Sequence, residues 1–287
     1  MGPSVGAIRL MFQSLMASQP WLHDPDVLQL PWRKELEYDT DKGEAEPLVL
    51  SFGLMATDGV VSPHPPIQRA LRTVAEALTG AGHEIMPWEP PSHDESSHIH
   101  PVFTNADGGV DVVEQIRLSG EPLVPQLHEY FANAPFPPLP LLDFYNLSLY
   151  LKDYRNRYSE YWLSTMNHSS TGRPVDAVIL PVAPHAAVIP GKYYYYTYSS
   201  IVNVLDYTTV VIPVTTASAK IDLFDKDYKP LNEKDKLNWE AYDPEAYDGA
   251  PAAIQLMGHR LDEERLLSIA EILVKTLEDY RARKLVA

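Results

Sequence analysis

Four short apolar runs constrain the fold of this 287-residue chain more than any other feature. Each run is nearly continuous and is bounded by turn-forming residues. Such runs are typical of strands that are buried on both faces, rather than of strands that face water on one side. They lie at about 47–55, 177–184, 208–216 and 252–258.

Helical periodicity provides the second kind of element. Apolar residues recur at helical spacing over 5–17, 67–79 and 261–284, and the last of these segments has acidic residues at its start and basic residues at its end. A short strand is expected at 83–91, so that strand, helix and strand alternate. Residues 96–168 are expected to be helical but interrupted by prolines. The pattern predicts an α/β fold, and the length alone allows one large domain or two small ones.

A long segment without regular structure is expected at 19–47. Its four prolines disfavour both helix and sheet, whereas Trp21 and Trp32 offer large apolar side chains that can hold a loop against a core.

Charge and composition exclude several classes of function. The chain has 23 Lys and Arg against 39 Asp and Glu, and this net charge of −16 repels nucleic-acid phosphates and anionic lipid headgroups. Neither a secretory signal nor an apolar run of about 18 residues is present, so we expect no membrane span. The absence of cysteine excludes disulfides and thiolate nucleophiles, and it fits a reducing compartment. We therefore expect a cytoplasmic protein without nucleic-acid partners.

Two polar clusters are candidate sites, but neither matches a known catalytic pattern. Residues 92–100, SHDESSHIH, contain three histidines and two acids that could in principle bind zinc, yet their spacing matches no zinc motif and a hydrophilic loop tip explains them equally well. The serine pairs lack the flanking glycines of a hydrolase nucleophile, and no glycine-rich nucleotide-binding loop occurs. The residues alone therefore predict no metal, no cofactor and no self-sufficient catalytic group.

The most unusual segment is GKYYYYTYSS at 191–200, in which five of six consecutive positions are tyrosine. Adjacent residues of a strand point to opposite faces, so these rings cannot all enter one core. The run could be a binding surface, an aggregation-prone strand or the wall of a pocket.

Several segments, in order along the chain, resemble the amidase-signature family, and in particular its fungal acetamidase or general amidase branch. They are PSVGAIRLMFQSLMASQPWLHDPDVLQLPWR, DGVVSPHPPIQRAL, GHEIMPWEPPSH, SGEPLVP, TGRPVDAVILPVAPHAAVIPGKY, YSSIVNVLDYTTVVIPVT and YDPEAYDGAPAAIQLMGHRLDEERLLSIAE. The resemblance implies a mixed, twisted sheet flanked by helices on both faces. It also implies hydrolysis of a carboxamide, such as acetamide, to carboxylate and ammonia. In that family a lysine and a bridging serine activate a nucleophilic serine, and no metal or cofactor takes part.

The resemblance begins after the segments that carry this Ser-Ser-Lys triad in the family. We therefore expect residues 1–287 to form a single domain that is the C-terminal portion of an amidase domain, with the N-terminal catalytic portion absent. The prediction is that this chain contains no catalytic residues and is inactive alone. The alternative is a non-catalytic binding or regulatory module that retains the pocket half.

By the same resemblance, the segment at 198–215 passes close to the acyl group of the substrate. Ser199, Ile201 and Val202 are then expected to bind the substrate, although a plain buried helix turn explains the two apolar residues equally well. The tyrosine run becomes a loop at the rim of this pocket. We expect a small amide as ligand once the missing half is supplied, and an exposed sheet edge could allow homo-oligomers.

Overall fold

The fold is built on one five-stranded sheet. We describe a computed structural model that covers residues 1–38 and 48–286. The strands are β1 (Ser51–Leu54), β2 (Glu84–Pro87), β3 (Ala177–Pro181), β4 (Thr209–Thr216) and β5 (Pro251–Met257). Their order in the sheet is β2-β1-β3-β5-β4. β1 pairs in parallel with β2 and β3, whereas β5 is antiparallel to β3 and β4, so the predicted mixed sheet is confirmed.

Ten α-helices surround this sheet within the described residues. They are α1 (Val5–Ala17), α2 (Pro65–Gly80), α3 (His93–Thr104), α4 (Val110–Ser119), α5 (Pro125–Phe131), α6 (Leu141–Ser164), α7 (Thr197–Leu205), α8 (Glu233–Glu240), α9 (Pro244–Tyr247) and α10 (Glu263–Val286). The predicted helices at 5–17, 67–79 and 261–284 are thus confirmed within a few residues at each end.

Alternating side chains of β3 divide the core into two layers. All five residues of β3 are buried. Ala177 and Ile179 join the cluster that packs on α2 and α10, and Val178 and Leu180 join the cluster on the opposite face, which includes residues of α6 and α7. Successive residues of a strand point to opposite faces, so a strand between two helical layers must be apolar throughout. The runs at 47–55, 177–184 and 252–258 therefore correctly predicted largely buried strands. The run at 208–216 correctly predicted β4, but burial on both faces is wrong there, because β4 lies at the edge of the sheet and its residues alternate between buried and exposed.

The second layer is unusually aromatic. Trp88, Tyr158 and Trp162 are buried together, and the indole nitrogen of Trp88 donates a hydrogen bond to the Tyr158 hydroxyl at 3.1 Å. Gly53 of β1 makes room for this packing, because a Cβ atom at that position would lie 2.5 Å from a ring carbon of Trp88. The polar ends of these rings find partners inside the core, as buried tryptophan and tyrosine generally require.

One local prediction is wrong. The segment at 92–100 is not a loop tip but the start of α3, with the Ser92 side chain accepting a hydrogen bond from the Asp94 amide as an N-cap. His93, Ser96 and Ile99 form its buried face. Helix was expected from residue 96 onward, but its start at His93 was missed because the buried face is mostly polar, so that no apolar stripe marks it in the sequence.

The loop predicted at 19–47 is confirmed as far as it is described. Residues 18–38 contain only two short 3₁₀ turns, and the Trp32 indole donates to a Glu37 carboxylate oxygen at 2.5 Å. The remainder of that prediction, 39–47, lies outside the described residues.

Two helices present apolar side chains to solvent. α1 has no fully buried residue, and its outer face exposes Leu10, Met11 and Leu15 by 65%, 47% and 49%. The N-terminal half of α6 exposes Leu142 and Leu149 by more than 60%. No helix in the described part of the chain is both long and apolar enough to cross a membrane.

Candidate functional site

The tyrosine run divides into anchored and exposed residues. Tyr195 and Tyr198 are 3% and 0% exposed, whereas Tyr193, Tyr194 and Tyr196 are 36–45% exposed. Residues 192–196 form an irregular segment that leads into α7, which begins at Thr197. The run is therefore neither a strand nor a uniform aromatic surface.

Asp58 holds the two buried tyrosines in place. The Tyr195 hydroxyl donates to Asp58 Oδ2 at 2.6 Å, and the amide of Asp58 donates to the Tyr198 hydroxyl at 3.1 Å. Asp58 Oδ1 also accepts from the amides of Val60 and Val61, and the Tyr198 hydroxyl donates to the Val61 carbonyl at 2.6 Å. Burial raises the pKa of Asp58, although these hydrogen bonds act in the opposite direction. The result is a rigid link between the turn after β1 and the start of α7.

Gln255 provides a second link at the same place. Its side-chain amide, on β5, donates to the Tyr198 carbonyl at 2.5 Å and to the Pro181 carbonyl at 3.0 Å. Because Gln255 is buried, these two bonds satisfy an amide that would otherwise be costly inside the core. The first turn of α7 is thus fixed to both β3 and β5.

The three predicted substrate-binding residues lie on α7 but face different surroundings. Ser199 is half-buried, and its hydroxyl donates to the Tyr196 carbonyl at 2.9 Å and lies 3.3 Å from the Tyr193 hydroxyl. Ile201 is fully buried and Val202 is 8% exposed, and both belong to the aromatic cluster that faces α6. Of the three, Ser199 is the most accessible to solvent. The substrate-binding role of all three stays a prediction.

A polar cleft of about 600 Å³ lies on the other side of Asp58. It is lined by 58–60, by Ser92, Asp94 and His98 of the α3 region, and by 232–234 at the start of α8. The volume is that of a small-molecule pocket, but the lining is mostly polar and acidic. His98 is already engaged, because its Nδ1 lies 2.8 Å from the Asp94 carbonyl oxygen. Within residues 1–38 and 48–286, no group of three or more acidic or histidine side chains is arranged to hold a metal ion.

Asp58 and Gln255 were not identified from the sequence. The Asp58-Gly59 pair marks a turn, and Gly59 has the positive φ of 76° that such a turn favours, but this signal does not show which tyrosine the carboxylate binds. The Asp58–Tyr195 contact joins residues 137 positions apart, and no local pattern encodes it.

The fold and sequence together define the class of protein. The sequence profile described as Amidase matches residues 1–267, and the chain belongs to this family, as predicted. Among curated proteins, it is 39% identical to an acetamidase of Aspergillus oryzae over 94% of its own length, and 39% identical to an acetamidase of Emericella nidulans over 96%. Each match covers 49% of the relative, so the chain spans about half the length of the curated relatives it matches.

Solved structures agree with this assignment. A fatty acid amide hydrolase superposes with a TM-score of 0.84 at 26% identity, over 96% of this chain and 47% of the other. A 6-aminohexanoate cyclic dimer hydrolase gives a TM-score of 0.55 at 15% identity and supports the fold alone. The predicted α/β fold with a mixed, helix-flanked sheet is therefore confirmed.

Proposed function

We propose that residues 1–287 form the C-terminal portion of an amidase domain that hydrolyses small carboxamides, such as acetamide, to carboxylate and ammonia. One observation carries the proposal: the chain matches two acetamidases at 39% identity over nearly all of its own length, but over only 49% of theirs. In this proposal the chain forms one side of the substrate site, and the remainder of the domain supplies the reacting groups.

Amide hydrolysis requires an activated nucleophile and a base. Among the described residues, no serine is paired with a lysine that could act as this base. A serine hydroxyl needs a neighbouring base within hydrogen-bond distance before it attacks a carbonyl carbon. Within the described ranges, no lysine ammonium is hydrogen-bonded to a serine. The contacts of Lys192 and Lys284 are instead with the Ala241 carbonyl and the Glu76 carboxylate. This supports a Ser-Ser-Lys triad located in the other portion, and a chain that is inactive alone.

In the same proposal, the contribution of α7 to the site is a rigid wall. Ser199 would face the acyl group, and Ile201 and Val202 would form the apolar support behind it. The two links at Asp58 and Gln255 favour this role, because a pocket wall must keep its position while the substrate binds.

The outer face of α1 offers a surface for the remainder of the domain. Leu10, Met11 and Leu15 expose contiguous apolar surface, whereas the inner side of α1 packs on α10 and is held there by the 2.8 Å ion pair between Arg9 and Glu271. An apolar helix face of this kind is typical of a contact surface.

A serine-directed fluorophosphonate probe tests the proposal directly. We expect no labelling of the purified chain, and labelling of one serine outside residues 1–287 when the chain is produced together with the unaligned portion of the Emericella nidulans acetamidase. Replacement of that serine by alanine should remove the label. Stoichiometric labelling of a serine in the folded chain alone would contradict the proposal. If the chain and the acetamidase portion together bind an amide but no serine is labelled, the alternative of a non-catalytic binding module is favoured.

A further inference from the structure

His64 is a buried histidine, and one of its two ring nitrogens has no hydrogen-bond partner among the described residues. It lies just before α2 and is 1% exposed. Its Nε2 is 2.7 Å from the Asn238 carbonyl oxygen. A carbonyl oxygen only accepts hydrogen bonds, so Nε2 carries the proton and Nδ1 presents a lone pair. That Nδ1 atom is buried and has no hydrogen-bond partner among the described residues.

His185, in the segment after β3, presents a second lone pair of the same kind. It is 5% exposed, and its Nδ1 lies 2.9 Å from the Ala186 carbonyl oxygen, so the proton is on Nδ1. Its Nε2 is buried without a partner within the described ranges. The ring centres of His64 and His185 are 6.2 Å apart. Two acceptors with fixed tautomers therefore lie on neighbouring rings in the interior.

Tyr247 of α9 adds a hydroxyl to this group. It is 1% exposed, and its ring centre is 5.8 Å from that of His64. The Ile189 amide acts on its buried hydroxyl oxygen, and the hydroxyl proton has no acceptor in the described part of the chain. The rings of Trp239 and Tyr242 form the surrounding wall. Burial of a polar group without a partner is unfavourable, and such groups are rare in native proteins.

The charges around His64 favour a neutral ligand over a cation. The pKa of His64 is lowered to about 4, mainly by burial, and His185 and the positive charge of Lys192 act in the same direction against the hydrogen bond to Asn238. Among the described residues, no carboxylate contributes to this shift. A metal ion or a second ammonium group at this position would face Lys192 without a compensating anion, which is unfavourable in a buried site.

We propose that His64 Nδ1 and His185 Nε2 form a binding site for one neutral hydrogen-bond donor of the size of a water molecule, with the Tyr247 hydroxyl as its third partner. A water molecule matches the group, because its two O–H bonds serve the two lone pairs and its oxygen accepts from Tyr247. Internal waters typically make about three such bonds to groups that lack other partners. The site joins the start of α2, the segment after β3 and α9. It also supports the tyrosine segment, because the ring of Tyr193 packs edge-on against His185 at 5.1 Å.

A crystal structure of the full chain at a resolution that shows ordered water is the first test. We expect a single peak within hydrogen-bond distance of both nitrogens, and two-bond ¹H–¹⁵N NMR spectra showing the proton on Nε2 of His64 and on Nδ1 of His185. Direct bonding of the two rings to each other, or an anomalous signal from a metal ion, would overturn the proposal.

A pair of variants provides a second test that does not depend on crystals. His185→Leu removes one acceptor and should raise the unfolding equilibrium constant by about tenfold or more. It should also eliminate the nuclear Overhauser effect between His64 and water. The matched control is His168→Leu, an exposed position, which should change neither quantity. A water contact at His64 that persists in a folded His185→Leu variant would contradict the shared site.

Discussion

Tyr195 and Tyr198 are buried, unlike the other tyrosines of the run, because each hydroxyl meets a hydrogen-bond acceptor on a segment that is distant in sequence. The Tyr195 hydroxyl donates to the Asp58 carboxylate and the Tyr198 hydroxyl donates to the Val61 carbonyl, whereas within residues 1–38 and 48–286 no side-chain hydrogen bond holds Tyr194. A hydrogen-bonded hydroxyl makes complete burial of a phenol ring more favourable, and Tyr194, which lies at the surface, can satisfy its hydroxyl with water. The identity of the residue is the same at all three positions, so burial could not be predicted from it.

Tyr195→Phe should destabilise the chain because it removes one hydrogen bond from a carboxylate that is largely withdrawn from water. We expect the free energy of unfolding to fall by about 1–3 kcal/mol. Urea denaturation followed by circular dichroism measures this change. Tyr194→Phe is the matched control and should stay within about 0.5 kcal/mol of the parent chain. Equal effects of the two substitutions would show that the bond to Asp58 does not hold the segment.

Buried neutral histidines should make the protein sensitive to acid. Burial lowers the pKa of both His64 and His93 from 6.5 to about 4. Between these two values the unfolded chain binds protons that the folded chain does not, so stability is retained above pH 6.5 and is lost as the pH falls towards 4.

The expected loss between pH 7 and pH 5 is about 2 kcal/mol for each of the two histidines. Unfolding curves in urea at several pH values measure it. A variant with His64→Gln and His93→Gln should show a shallower dependence over the same range. An unchanged pH dependence in that variant would refute the assignment.

Among the elements, strands and amphipathic helices were predictable, whereas the start of α3 and its buried face were not. Continuous apolar runs predicted β1, β3 and β5 because most residues of these strands are buried, and the run at 208–216 predicted β4, in which buried and exposed residues alternate. The buried face of α3 instead uses His93, Ser96 and Ile99. Ser96 donates to the His93 carbonyl within the same helix, and His93 Nε2 lies 3.3 Å from the Tyr158 hydroxyl of α6. The contact between α3 and α6 arises only when the two helices pack together.

The candidate site was predictable only in outline. The sequence analysis predicted that a helix turn containing Ile201 and Val202 follows the tyrosine segment, and it left open whether these residues face a pocket or a core. Ile201 is completely enclosed by the aromatic layer, which involves α6 and therefore residues some 40–50 positions away. Tertiary packing of this kind decides which side of a short helix is accessible.

The outer face of α1 should determine association with the remainder of the domain. Leu10→Glu with Leu15→Glu places charge on exposed positions, so we expect the isolated chain to keep its stability within about 0.5 kcal/mol. The same change should weaken binding to the co-produced acetamidase portion by at least tenfold, because a contact surface tolerates unpaired charge poorly. Isothermal titration calorimetry or pull-down with quantification measures the difference.

Leu118→Glu on α4 is the control for that experiment. Leu118 is 72% exposed, and the proposal assigns it no role in the contact. If this control weakens association as much as the α1 variant does, the contact surface has been placed on the wrong helix.

The chain spans about half the length of its relatives, and the feature of the fold on which this bears most directly is the pair of sheet edges. β2 and β4 are the edge strands within the described residues, and Val211 of β4 is 48% exposed. Open edges with apolar side chains favour pairing with another strand. We therefore expect the isolated chain to self-associate in a concentration-dependent way.

Val211→Lys should reduce this self-association, since a lysine on an edge strand opposes strand pairing. Sedimentation velocity over a range of concentrations measures the effect. Val188→Lys, at a position that is 40% exposed and lies outside the sheet, is the matched control. A strictly monomeric parent chain would show that the sheet edges are not used in this way.

In the proposed function, this chain carries the pocket side of an amidase and not its reacting groups. The test is the release of ammonia from acetamide. The purified 287-residue chain is assayed beside the same chain joined to the unaligned portion of the Emericella nidulans acetamidase. We expect no ammonia above background from the chain alone and sustained release from the joined protein. Sustained release by the highly purified chain alone would contradict the proposed function.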